Sequence, residues 1–186
     1  MFTTNPFAEL SASIPSFVMQ VYVIAMVALV VGSTLFDIVH KGSAKYFFAN
    51  WRKSKEKSAS PVGGAQMVSL AVQTAASEVL TSSEFCNPQR RIAHLLGMYG
   101  FVIYAITTAI MVFQYAHPGI ATPVLLPQLW HVGASMVCIG GYWFWFFIRV
   151  DVTSEGQSPF RVMQADIFVL SLLVSVTLAL IWSYLQ

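Results

Sequence analysis

The sequence predicts an all-α integral membrane protein: a bundle of four transmembrane helices with an amphipathic cytoplasmic helix between the first and the second. Three observations predict it. Four apolar runs, at about 17–39, 92–116, 129–148 and 163–184, reach the ~20 residues needed to cross a hydrocarbon layer. Only 10% of the 186 residues are charged and 56% are hydrophobic, whereas a soluble domain carries about a quarter charged residues. The ten Lys and Arg residues, moreover, all flank or occupy two of the inter-helix segments.

The N-terminal stretch "MFTTNPFAELSASIPSF" has no basic region and no cleavage site after a short apolar core, so the first helix is expected to remain as an anchor. That helix, "VYVIAMVALVVGSTLFDIVH", is expected to continue past His40 into "KGSAKYFFANWRKSKEK". There Tyr46, Phe47, Phe48 and Trp51, interleaved with lysines, suit the headgroup layer. "SASPVGGAQ" reads as a loop. In "MVSLAVQTAASEVL", Val68, Val72, Ala75, Ala76 and Val79 recur at helical spacing, opposite Ser69, Gln73, Ser77 and Glu78. Too short and polar to span, this segment suits an interfacial helix, a docking element for a cytoplasmic partner, or a cover for its own bundle. The second helix follows, then the loop "HPGIATPVLLPQ", the third helix, a short polar segment and the fourth.

Orientation follows from charge. Eight basic residues, from Lys41 to Arg91, lie in the 40–91 loop, and Arg149 and Arg161 flank the loop between helices three and four. The positive-inside bias places both loops in the cytoplasm and both termini in the periplasm, in a bacterial inner (cytoplasmic) membrane. Basic loops so placed face anionic headgroups or soluble partners, and nucleic acid is not expected. Arg52, Lys53 and Lys55, with the 67–80 helix, are the expected docking surface for acidic or iron–sulfur subunits. Cys86 and Cys138 fall at different depths and form no bridge. There is no CxxC pair for a cluster or zinc and no CxxCH for a c-type haem. Few internal polar groups and no inverted repeat argue against a transporter.

The four histidines carry the chemistry. His40 closes helix one and His94 opens helix two on the inner side; His117 closes helix two and His131 opens helix three on the outer side. His94 and His131 are roughly 20–30 Å apart at 1.5 Å per residue and cannot share an iron. His40 with His94, and His117 with His131, form the layout of two b-type haems, each held by imidazoles from facing helices. For each ring taken alone, the plainer reading is an interfacial histidine satisfied by water or a carbonyl. Arg90 and Arg91 precede His94 where haem propionates would need cations. Gly97, Gly100, Gly133, Gly140 and Gly141 either clear space for a macrocycle or allow helices to pack closely. Asp37 and Asp166, near the inner face, either serve quinone protonation or pair with Arg149 or Arg91.

The stretches "RRIAHLLGMYGFVIYAITT", "LWHVGASM" and "GGYWFWFFIRVDVTSEGQSPFRVMQADIFVLSLL" resemble the transmembrane domain of QmoC, the membrane subunit of the quinone-interacting membrane-bound oxidoreductase. More distantly, the opening of helix two resembles the haem b subunits of heterodisulfide reductase and respiratory nitrate reductase. The resemblance runs from about Ile14 onward and is most specific over 85–173. It implies a cytochrome b with two haems that passes electrons between the menaquinone or ubiquinone pool and cytoplasmic flavin and iron–sulfur subunits. The implied downstream partner is adenylylsulfate reductase of dissimilatory sulfur metabolism, and the implied haem ligands are His94 and His131, then His40 and His117. The family also has a ferredoxin-like portion with cysteine-rich motifs, and this sequence has none. Either a separate chain supplies the clusters, or the chain resembles the shorter AprM-type anchor, a haem-free element that docks a cytoplasmic reductase.

Overall fold

The computed structural model describes residues 2–57, 63–149, 152 and 154–186. Most of the expected loop at 58–66, Val150 and Asp151 lie outside the described residues, as do the side chains of Lys55, Lys57, Ala75 and Val79. Among the described residues the chain is helical and has no strand. The helices are α1 (Pro6–Leu10), α2 (Ser16–His40), α3 (Ser43–Lys57), α4 (Gly64–Thr74), α5 (Pro88–Gln114), α6 (Leu125–Trp143) and α7 (Ile167–Leu185). A π-helical turn extends α4 over Ala75–Leu80 and another extends α6 over Phe144–Ile148, while a 3-10 turn, Gln164–Asp166, leads into α7. Four helices are long and apolar enough to cross a membrane: Ser16–His40, Pro88–Gln114, Leu125–Ile148 and Ile167–Leu185. The chain is a multi-pass membrane protein by this measure.

The chain divides into two compact units, Met1–Ser16 with Ser77–Gln186, and Phe17–Ala76. The first unit holds three of the spans, α5, α6 and α7, together with α1. Its core is the contact of α5 with α6, and three glycines set that contact. A methyl built on Gly100 would sit 2.8 Å from the Val137 amide nitrogen and 2.9 Å from the Gly133 oxygen; one on Gly133 would sit 2.7 Å from the Tyr104 nitrogen. One on Gly140 would sit 2.7 Å from the Ala93 oxygen. Contacts that climb α5 as they descend α6 define an antiparallel pair whose backbones touch. With no hydrophobic driving force between helices in lipid, such backbone proximity is what dispersion requires. α7 completes the unit by burying Leu173 and Val176 against Ala134 and Val137 of α6.

Helix ends are set by local chemistry. α5 starts four residues before the apolar run because Asn87 caps it, its Oδ1 accepting from the Gln89 amide at 2.9 Å, with Pro88 in the first turn. Arg90 and Arg91 are therefore helical residues. The same device, Asn5 with Pro6, starts α1, Asn5 Oδ1 accepting from the Phe7 amide at 3.0 Å. Buried Asn5 also donates through Nδ2 to the Tyr115 carbonyl (2.8 Å) and to Thr122 Oγ1 (3.1 Å). Phe7 meets Trp130 edge-on, and Gln186 Nε2 donates to the Pro6 carbonyl. This short helix thus seals the end of the unit where α5 finishes and α6 begins.

In the second unit the expected continuous extension of helix one is broken. Gly42 adopts φ +64°, its amide donating to the Val39 carbonyl, so α2 stops at His40 and α3 starts afresh at Ser43. A glycine in the left-handed region just past the last turn is the usual stop for a helix, because any Cβ there would be strained. α4 forms where the helical spacing places it, and its residues are exposed.

Candidate functional site

At the α5 N-terminal end, α5, α6 and α7 leave a groove of about 370 Å³ between them. Arg90 and His94 line it on α5, with Gly97 one turn further in; Val137 and Phe144 line it on α6 and Leu172 on α7. The helix periodicity of α5 produces this directly, since positions 90, 94 and 97 share one face. Gly97 differs from the packing glycines: a methyl built on it would meet nothing within 4 Å. Its missing side chain leaves that wall of the groove flat. The His94 ring is exposed and lies tilted against Phe85, with centroids 5.1 Å apart. Of the two arginines that precede His94, only Arg90 lines the groove. Arg91 donates from Nε to the Thr81 carbonyl at 2.8 Å, and Tyr99 Oη donates to the Leu80 carbonyl at 2.6 Å, so both secure the end of the π-helical turn.

The other histidines stand elsewhere. His131 is buried, and both of its ring nitrogens are engaged: Nδ1 lies 2.7 Å from the Pro127 carbonyl and Nε2 lies 2.9 Å from Ser183 Oγ. A neutral imidazole satisfies both, donating from Nδ1–H and accepting the Ser183 hydroxyl at Nε2. Phe2 and Trp130 meet the ring edge-on. The contact between His131 Nε2 and Ser183 ties α6 to α7. A recess of about 310 Å³, lined by Phe2, Leu180 and Tyr184 among others, opens beside it. His117 sits past the end of α5, its Nε2 3.5 Å from Ser16 Oγ, so the expected outer pair has different partners on each ring. His40, in the second unit, stacks on Phe36 with centroids 5.3 Å apart.

Both carboxylates considered for quinone chemistry are paired. Asp37 makes an exposed i,i+4 bridge with Lys41 at 2.8 Å. Asp166 takes the plainer of its two expected roles and pairs with Arg149 at 2.8 Å, with side chains only 5% (Arg149) and 13% (Asp166) exposed. The widened turn at the end of α6, in which the Arg149 amide donates to the Phe144 carbonyl, swings Trp145, Ile148 and Arg149 inward. Arg149 also donates to the Arg161 carbonyl (2.8 Å) and the Pro159 carbonyl (3.3 Å) and lies 4.0 Å from the centre of the Trp145 ring. Asp166 Oδ2 in turn accepts from the Met163 amide at 2.8 Å. This cluster fastens the α6–α7 connection.

Sequence reasoning passed over Ser183 and Asn5, and the aromatic run from Gly140 to Asp151, expected to be mostly lipid-facing, holds the buried Trp145. Ser183 is one hydroxyl in an apolar run, 52 residues from its partner, and nothing local marks it. Asn5 did carry a signal, Asn-Pro before a short run, the same pair that opens α5. Among the described residues no group of three or more His, Cys, Asp or Glu side chains is placed to hold a metal ion. No protein-family model, no curated protein and no solved structure matches this chain.

Proposed function

We propose that the chain is the membrane subunit of an electron-transfer complex and holds one b-type haem in the groove between α5, α6 and α7. The observation that carries this reading is the groove itself: one exposed imidazole and one guanidinium at the rim of an otherwise apolar slot, with a wall kept flat at Gly97. These residues fit the group. His94 would offer a ring nitrogen to iron, and Arg90 would pair a propionate. Val137, Phe144 and Leu172 would keep water from the macrocycle, which favours retention of an uncharged porphyrin face. Bound haem supplies one-electron chemistry. The bias of basic residues supports periplasmic termini in a bacterial inner membrane, with the α4 helix of the 40–91 loop facing cytoplasmic flavin and iron–sulfur subunits. The resemblance to QmoC extends the reading to the menaquinone or ubiquinone pool and to adenylylsulfate reductase. We assign neither Asp37 nor Asp166 to quinone protonation, because each already faces a cation.

A second reading, a haem-free anchor that docks a cytoplasmic reductase, draws on a different observation. At the His131 end the protein satisfies its own imidazole completely, as a unit without cofactor would.

An absorption spectrum of the purified chain separates the two. The expected result is a b-type spectrum that His94→Ala and Gly97→Phe abolish and His131→Ala retains. A wild-type chain without haem would establish the anchor in its place, and full haem retention in both groove variants would overturn the groove as the haem site.

A further inference from the structure

We propose that α3 binds anionic phospholipid, lying in the headgroup layer at the end of the α2 span with its aromatic face toward the acyl chains. The inference goes beyond the electron-transfer reading and does not rest on it.

The placement comes from the chain itself. α2 has 25 residues, a rise of about 37 Å against a hydrocarbon core of about 30 Å, so its His40 end reaches the headgroups. Gly42 then turns the backbone within two residues, and α3 begins at Ser43 with no linker to carry it away from the surface. The composition of α3 matches that layer. Its sequence, SAKYFFANWRKSKEK, holds five basic residues against one acidic residue. At about 100° per residue, Phe47, Phe48 and Trp51 fall on one arc, which position 55 shares, and Lys45, Arg52, Lys53 and Glu56 fall on another, with Tyr46 at its edge. The structure shows the aromatic arc as a physical cluster: Phe47 meets Phe48 at 5.5 Å and Trp51 at 5.8 Å between ring centroids. These rings remain between 44% and 59% exposed.

Two arcs of this kind distinguish lipid from protein as the occupant. An acidic soluble partner would neutralise the basic arc and leave three large rings in water. A bilayer surface carrying phosphatidylglycerol-type headgroups takes both, rings at the acyl boundary and cations at the phosphates.

The test uses the full chain in nanodiscs of phosphatidylcholine alone or of an equal mixture with phosphatidylglycerol, read by amide hydrogen exchange over α3. Protection is expected to be higher in the mixed bilayer and to fall with added salt. Each basic side chain near an anionic surface contributes about fivefold, so R52Q/K53Q should lower protection in the mixed bilayer by roughly 30-fold and leave it unchanged in phosphatidylcholine. Arg52→Lys with Lys53→Arg should restore it, and Phe47→Ala with Trp51→Ala should lower protection in both bilayers. Equal exchange in the two bilayers overturns the proposal. So does protection that arises only when a cytosolic extract is added, which would make α3 a protein-docking surface.

Discussion

Gly140 and Gly97 face each other across the α5–α6 seam, yet a methyl group should affect them oppositely. On Gly140 the added carbon would stand 2.7 Å from the Ala93 carbonyl oxygen and 2.9 Å from both the Gly97 nitrogen and Leu96 Cβ. Two of those three atoms are backbone, so no rotamer change relieves them. Restoring ordinary contact requires the helices to separate by about 0.7 Å, and a gap of that size forfeits a quarter to a half of each dispersion contact it opens. Overpacking of this kind costs about 1–3 kcal/mol. For a chain of this length that corresponds to a fall in Tm of roughly 2–12 °C. On Gly97 the methyl meets open space, and the gain in helix propensity, up to about 1 kcal/mol, leaves Tm unchanged or slightly raised. Cys138, half-buried in α6, provides the assay: in a Cys86→Ser background, its reaction with a thiol-reactive dye during heating in detergent reports loss of the bundle. A Gly140→Ala protein that unfolds with the parent, or a Gly97→Ala protein that loses as much as Gly140→Ala, would refute the close-packed seam.

Three further outcomes are expected. Ser183→Ala leaves His131 Nε2 buried without its donor and should cost about 1–2 kcal/mol in the same thermal assay, with no change in any haem spectrum. Asp166→Ala strands the buried Arg149 guanidinium, a loss of about 3–5 kcal/mol, whereas Asp37→Ala at the exposed Lys41 pair should cost less than about 1 kcal/mol. A single cysteine placed at Gly119, in a chain whose native cysteines are replaced by serine, should react with a membrane-impermeant label from outside intact cells; protection there would reverse the proposed orientation.

Much of the fold was legible because hydropathy over ~20 residues is a one-dimensional signal and lipid enforces it. All four spans stand where the apolar runs lie. Their ends were less legible, since caps act through polar residues that an apolar window ignores: Asn87 moved the start of α5 outward, and Gly42 split what read as one helix. The glycines were legible as a class but not one by one. Four of them let helices touch and Gly97 leaves space, a distinction set by the facing helix. At the candidate site, His94 and Arg90 came together because one helix face carries both. The His131–Ser183 bond was invisible for the converse reason, being formed by two helices 52 residues apart in sequence.

The docking of α1 has a consequence for how the protein is made. Asn5 bonds to Tyr115 and Thr122, and the Pro6 carbonyl accepts from Gln186, a partner 180 residues later in the chain. At about 5–20 residues per second, α1 leaves the ribosome roughly 10–40 s before that last partner exists. Throughout that interval Phe2 and Phe7 have no finished bundle to cover. The contacts of α1 with Tyr115, Thr122 and Trp130 can form once α6 has been made, whereas the bond from Gln186 must wait for α7, so α1 is fastened in two steps and the second closes the end of the unit.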